Sequence, residues 1–151
     1  RDIIPRAERA GARNIQVRSP LDKAPLAGRE GKMDVVFVDA PCTGSGTWRR
    51  HPDTKWRLSP DLLYRRMTEQ TGVMDDAAKF VKKGGRMVYV TCSIVAEENE
   101  DRVKAFLGRN ETFSVRPIEG FAKFRTPEGY LRLTPLSAGT DGFFAAVLER
   151  R

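Results

Sequence analysis

The chain has 151 residues, the size of one ordinary domain, and 40% of them are hydrophobic, a share usual for globular proteins. Lysine and arginine number 27 against 20 aspartates and glutamates, so the formal charge of +7 favours a polyanionic partner, nucleic acid first. Two cysteines exclude a disulfide framework and favour reduced thiols in a cytoplasmic compartment; one histidine excludes a multi-ligand zinc site, and no apolar run is long enough to span a membrane.

The first residues, Arg1-Asp2-Ile3-Ile4-Pro5, have no signal-peptide character, and the missing initiator Met implies a start inside a longer protein. Arg6-Ala7-Glu8-Arg9-Ala10 followed by Gly11 reads as the end of a helix. Asn14-Ile15-Gln16-Val17 is a short strand candidate, and residues 19–32, with two prolines and two glycines, read as a loop. Val35-Val36-Phe37-Val38 is a continuous apolar run, the pattern of a parallel strand buried on both faces.

Residues 40–60 are rich in Pro, Gly, Thr and Arg and predict a long functional loop. Ser59-Pro60-Asp61 then starts a helix, with a capping Ser and Pro at the first helical position. Leu62, Leu63, Met67, Gln70, Val73, Met74, Ala77, Ala78 and Val81 recur at helical steps, and Lys82 and Lys83 suit the helix's negative end before Gly84-Gly85 stops it. Met87-Val88-Tyr89-Val90 is a second buried strand, joined to the first by a parallel crossover. Residues 97–107 predict another helix with acidic residues in its first turn. Phe113-Ser114-Val115, Leu131-Arg132-Leu133 and residues 143–148 are extended candidates separated by turns.

Both cysteines stand just past a buried strand: Cys42 in Asp39-Ala40-Pro41-Cys42 and Cys92 in Thr91-Cys92-Ser93. Neighbouring parallel strands would bring them to one sheet edge, where open α/β folds place their chemistry. A thiol in such a place is more often a small buried hydrophobe than a nucleophile. For Cys92, a helix N-terminus close behind would lower the thiol pKa, whereas Glu97 and Glu98 would raise it, and the sequence leaves the net direction open. Asp39, a carboxylate at the carboxyl end of a buried strand, points to a ligand or hydrogen-bond role. Thr43-Gly44-Ser45-Gly46-Thr47 lacks the Gly-Lys-Ser/Thr ending of a phosphate loop and reads as a flexible substrate loop. In residues 48–57, cations interleave with aromatics as phosphate contacts and base stacking require; the plainer expectation is a solvated basic loop, Trp56 packed on the core and His51 as a hydrogen-bonding residue.

Asp39-Ala40-Pro41-Cys42-Thr43-Gly44-Ser45-Gly46, then Arg49-Arg50-His51-Pro52-Asp53, resembles motif IV of the RNA cytosine-5 methyltransferases, the bacterial 16S rRNA enzymes and their Nop2/Sun relatives. The run Gly84-Gly85-Arg86-Met87-Val88-Tyr89-Val90-Thr91-Cys92-Ser93, followed by Glu97-Glu98-Asn99, resembles motif VI, and Thr140-Asp141-Gly142-Phe143-Phe144-Ala145 resembles the closing strand motif. The resemblance implies an α/β, Rossmann-like, S-adenosylmethionine-dependent fold. Only its later elements are expected: a mostly parallel sheet with an antiparallel pair at the C-terminal end, as one partial domain over residues 1–151.

It further implies that Cys92 attacks cytosine C6, that Cys42 assists release and that Asp39 reads the cytosine N3/N4 edge. Asp39, Pro41 and Asp22 are the implied cofactor contacts. Trp48, Arg49, Arg50, His51 and Lys55 are the implied RNA contacts, with rRNA or tRNA as partner. The family's Gly-rich loop and the acidic residue ending its second strand are not in the sequence. The chain is therefore expected to lack most of the adenosyl pocket, to be inactive alone and to expose edges open to self-association. Three alternatives stand: Cys42 as nucleophile, as in DNA cytosine methyltransferases; a non-catalytic RNA-binding module; and a redox pair, for which Cys-x-x-Cys spacing is absent.

Overall fold

The computed structural model describes residues 3–19, 21 and 26–151, divided into two compact units, Arg1–Glu30 and Gly31–Arg151. In the first unit, helix α1 spans Ile3–Arg9 and ends where expected, with Gly11 at φ 65°. The strand expected at Asn14-Ile15-Gln16-Val17 does not form: Ile15 and Val17 are exposed, and an apolar pair with no neighbouring ladder has no reason to stay extended. The expected contact Asp22 lies outside the described residues.

The second unit carries strands β1 (Met33–Asp39), β2 (Val81–Thr91), β3 (Phe113–Arg116), β4 (Leu131–Leu133) and β5 (Phe143–Arg150). Its helices are α2 (Asp53–Arg57), α3 (Pro60–Ala78), α4 (Glu100–Arg109) and α5 (Pro135–Ala138). The sheet order is β1-β2-β5-β3, with β4 also on β5. β1 and β2 are parallel, with α3 in the connection; β5 is antiparallel to β2, β3 and β4. This is the open α/β sheet expected, with its antiparallel strands at the C-terminal end, but among the described residues it is mixed rather than mostly parallel. β1–β2 is the one parallel pairing, because the crossover through α3 joins only that pair, and the other three are antiparallel.

Three expectations need correction. β1 is not buried on both faces: Val38 is buried, but Val35 and Phe37 are 45% and 65% exposed. Residues two apart share a face, and the described sheet and helices cover only the Val36/Val38 face. Helix α3 ends at Ala78, so Lys82 and Lys83 do not cap it. They open β2 instead, because Val81 is fully buried and pairs with Met33. Gly84-Gly85 is a bulge, not a helix stop: Gly84 takes φ 75°, and a Cβ on Gly85 would lie 2.9 Å from the Met33 carbonyl oxygen. Residues 97–107 do not form one helix; a 3-10 turn over Ala96–Glu98 precedes α4.

The helix start is as read: Ser59 Oγ accepts from the Leu62 amide, and Pro60 stands in the first turn. Met74, Ala77 and Ala78 of α3 join Phe106 of α4 and Met87, Tyr89, Phe144 and Leu148 of the sheet in one core. Val73 lies off that stripe and is exposed. Edge-on aromatic pairs, Phe106–Phe113 at 5.3 Å and Tyr89–Phe144 at 6.4 Å, lock strands to helix and strand to strand. Among the described residues no helix is long and apolar enough to cross a membrane.

Candidate active site

The two cysteines meet because the strands before them are in register. Asp39 pairs with Val90, and the Ala40 amide donates to the Val90 carbonyl, so both chains leave the sheet at one edge. Cys42 Sγ and Cys92 Sγ lie 3.4 Å apart, a hydrogen-bond distance between free thiols and far beyond a disulfide bond of about 2.05 Å. Asp39, at the end of β1, is exposed beside them.

Proximity splits the two thiols. Cys92 is pulled down to about 7, first by the hydrogen bond from Cys42 and then by its own backbone amide. Burial and the charges of Asp39 and Glu98 oppose this. Cys42 is pushed far up, chiefly by the same hydrogen bond and then by burial. The same contact thus moves the two thiols in opposite directions, Cys92 down and Cys42 up. The two glutamates were expected to raise Cys92; Glu98 does so, but the Cys42 thiol outweighs it.

Beneath the thiols lies a set of hydrogen bonds centred on Glu98, which is fully buried. Glu98 Oε1 accepts from the Thr43 amide (2.8 Å) and Gln70 Nε2 (3.1 Å). Oε2 accepts from the hydroxyls of Thr43 (2.5 Å) and Ser93 (2.6 Å). The Tyr89 hydroxyl donates to the Glu98 carbonyl, and burial raises that phenol. Gln70 also donates to the Pro41 carbonyl. With the Ser93 proton directed at Glu98, the Ser45 hydroxyl donates to Ser93 Oγ at 2.9 Å and accepts from the Ile94 amide. Asn99 completes the set, accepting from Thr91 Oγ1 and donating to the Ser93 carbonyl.

Residues 43–47 are thus no flexible loop. Gly44 takes φ 70°, Ser45 and Gly46 are buried, and the Gly46 amide donates to the Cys92 carbonyl. Gly46 also accepts from the Gly142 amide. A Cβ on Gly46 would come within 2.7 Å of Gly142 Cα, and one on Gly142 would meet Gly46 Cα at the same distance. Both glycines are therefore required by close backbone approach.

The basic segment has a different character. Arg49 and Arg50 reach Asp141, Arg50 Nε at 2.5 Å, while both guanidinium groups stay exposed. His51 is exposed, and its carbonyl accepts from Thr54 Oγ1. Lys55 Nζ lies 5.8 Å from the Trp48 ring centre and 5.9 Å from that of Trp56. Trp56 is not packed on the core: it is 84% exposed, because the short helix α2 contributes no buried residue.

Of the expected residues, the structure brings Cys42, Cys92, Asp39 and Pro41 to one edge, with Trp48, Arg49, Arg50, His51 and Lys55 on the segment continuing from it. Sequence reasoning did not assign a site role to Gln70, Tyr89 or Ser45. A glutamine inside the apolar row of α3 was a readable signal; Tyr89, inside a buried strand, offered none.

Other proteins resemble this chain in sequence and in fold. The profile of a family described as 16S rRNA methyltransferase RsmB/F matches residues 2–149. Ribosomal RNA small subunit methyltransferase B of Thermus thermophilus is 34% identical over 99% of this chain and 38% of its own length. The probable ribosomal RNA small subunit methyltransferase B of Bacillus subtilis is 36% identical over 80% of this chain and 28% of its own. A crystal structure of NSun6 from Pyrococcus horikoshii with SFG superposes with a TM-score of 0.77 at 25% identity, covering 98% of this chain and 38% of that one. The chain thus spans between about a quarter and two fifths of these relatives. The chain belongs to the RsmB/F family of 16S rRNA methyltransferases.

Proposed function

We propose that this chain forms the cytosine-reacting part of an S-adenosylmethionine-dependent RNA cytosine-5 methyltransferase acting on 16S rRNA, with Cys92 as nucleophile. The observation that carries the reading is the thiol pair at the sheet edge, Cys42 and Cys92 at 3.4 Å, a contact that lowers Cys92 to about 7 and raises Cys42. A thiolate attacks and a thiol does not, so the same contact disfavours Cys42 as the nucleophile.

The Cys92 thiolate adds to cytosine C6, forming an S–C6 bond while the 5,6 double-bond electrons move toward C5 and the N3–C4 edge. The exposed Asp39 carboxylate accepts from the N4 amino group, and from N3–H once N3 has taken a proton from solvent. Bonding to C6 consumes the Cys92 thiolate, removing the hydrogen bond and the charge that hold Cys42 up. Only burial then opposes ionisation of Cys42, which gives its own proton to solvent and, as thiolate, can take the C5 proton. Once C5 carries the methyl group that S-adenosylmethionine would supply, it bears both a methyl and a hydrogen. That hydrogen leaves as a proton to Cys42, and its electron pair re-forms the 5,6 bond. The S–C6 bond breaks to release Cys92 as thiolate, and N3 gives its proton back to solvent. A target base stacked in a helix must first be extruded, at about a few kcal/mol.

Asp39 fits one side of a cofactor site, since its carboxylate is exposed at the carboxyl end of β1 and can accept from an ammonium group. Pro41 fits as a wall only, because its carbonyl already accepts from Gln70. When bound, S-adenosylmethionine supplies the electrophilic methyl group; its analogue SFG in a similar structure supports its use. Trp48, Arg49, Arg50, His51 and Lys55 hold the RNA, joined by Trp56. Residues 1–151 alone are expected to transfer no methyl group. The outer edge of β1, with Phe37 exposed, is open to self-association, and a monomer at every concentration in light scattering would remove that expectation.

The test uses the full-length protein with RNA carrying 5-fluorocytosine, which stops the reaction at the covalent stage. Wild type and Cys42→Ala should give a protein–RNA adduct and Cys92→Ala none. Trapping by Cys92→Ala but not by Cys42→Ala would reverse the assignment. RNA binding without any adduct would favour the non-catalytic module.

A further inference from the structure

Glu98 lies at the junction of everything that brings the thiols together. Thr43, bonded to it twice, directly follows Cys42; Ser93, bonded to it once, directly follows Cys92. Gln70 ties the same carboxylate to α3 and to the Pro41 carbonyl one residue before Cys42. Tyr89 ties the Glu98 backbone to β2. Each carboxylate oxygen accepts two bonds from neutral donors, so its charge is satisfied within the fold and no titrating partner is needed. Only a side chain with two acceptor oxygens at this reach can collect three donors from the two segments and a fourth from α3 at once.

We propose that Glu98 is a positioning residue for both cysteines: its carboxylate fastens the Pro-Cys segment to the Thr-Cys-Ser segment and thereby sets the thiol–thiol contact. The inference rests on the Cys92 reading for its catalytic readout, while its geometric readout does not. Position and charge act on Cys92 with opposite signs. The Cys42 contact lowers the thiol, whereas the charges of Glu98 and Asp39 raise it. A variant that loosens the contact but keeps the charge must therefore raise Cys92, and one that keeps the contact but removes the charge must not.

The experiment compares Glu98→Asp with Glu98→Gln in the full-length protein. The aspartate keeps the charge one methylene short of its donors. The glutamine keeps the reach, and the Thr43 and Ser93 hydroxyls can turn to accept from its amide. Iodoacetamide labelling of the Cys92 peptide is followed against pH by mass spectrometry, beside adduct formation with 5-fluorocytosine RNA and RNA affinity. For Glu98→Asp the midpoint should rise from about 7 toward an ordinary thiol value of about 8.5. The adduct rate at pH 7 should fall about tenfold, in line with the smaller thiolate fraction, with RNA affinity unchanged.

For Glu98→Gln the midpoint should stay at or below about 7, because a negative charge has been removed. A wild-type midpoint and rate in Glu98→Asp, or an equal rise in Glu98→Gln, overturns the proposal. Thr43→Val, which deletes one donor on a half-exposed segment, should move the midpoint the same way by less. If the Glu98 variants do not fold, an unchanged midpoint in Thr43→Val overturns it. If the midpoints move as stated but wild type forms no adduct, the nucleophile reading fails and the positioning role stands.

Discussion

The cysteine clamp and the basic arm that follows it are adjacent in sequence and built on opposite principles. In the clamp, Ser45, Gln70, Ser93, Glu98 and Asn99 are buried and joined by side-chain hydrogen bonds. In the arm, Arg49, Arg50, His51, Lys55, Trp56 and Arg57 are exposed, and their contacts are surface ion pairs and cation–ring approaches. Thiol chemistry needs fixed geometry, which burial and full hydrogen bonding provide. Holding a polyanion needs charge and ring faces that stay free to adapt. Changes in the clamp should therefore alter reactivity and stability together, and changes in the arm should alter RNA affinity alone.

The largest test of that contrast is Cys92→Ser, which should slow adduct formation by at least about 10³-fold with RNA affinity preserved. Labelling of Cys92 in the wild type should rise with pH through a midpoint of about 7, because the thiolate population grows as pH passes the lowered pKa, while Cys42 stays unlabelled over the same range. Next in size, Trp56→Ala should weaken single-stranded RNA binding by roughly 1–3 kcal/mol, the worth of one stacked base. The melting temperature should not move, since Trp56 is 84% exposed; a drop in melting temperature as large as that of a core variant would break the contrast.

Gly142→Ala should cost about 1–3 kcal/mol in thermal or denaturant unfolding, because its methyl would press on Gly46 and on the Ile94 side chain. It should also slow adduct formation, since Gly46 donates to the Cys92 carbonyl. The smallest effect belongs to Asp53→Asn, which breaks the exposed pair with Arg57 at 2.7 Å and should change stability by no more than about 0.5 kcal/mol.

Local rules made much of the fold legible. The Ser59-Pro60 start of α3 follows from capping chemistry, and β2 through β5 follow from apolar runs between turns. Where those rules failed, long-range packing had decided. Val81 reads equally well as the last apolar step of a helix or the first residue of a strand; pairing with Met33 and complete burial make it strand. Val35 and Phe37 read as buried because an apolar run carries no information about which of its faces is covered. Trp56 reads as core for the same kind of reason, since a large ring gives no sign of its own orientation.

By itself, the sequence determined the family and the candidate groups: the Pro-Cys and Thr-Cys-Ser segments after two apolar runs, the Glu97-Glu98-Asn99 sequence and the closing Asp141-Gly142. Which thiol is the more acidic was decided by tertiary structure. That depends on a 3.4 Å contact between residues fifty apart, set by the Asp39–Val90 register and by one buried carboxylate. Hydrogen bonding and desolvation change steeply over tenths of an ångström, a scale that motif spacing cannot encode and a packed core can.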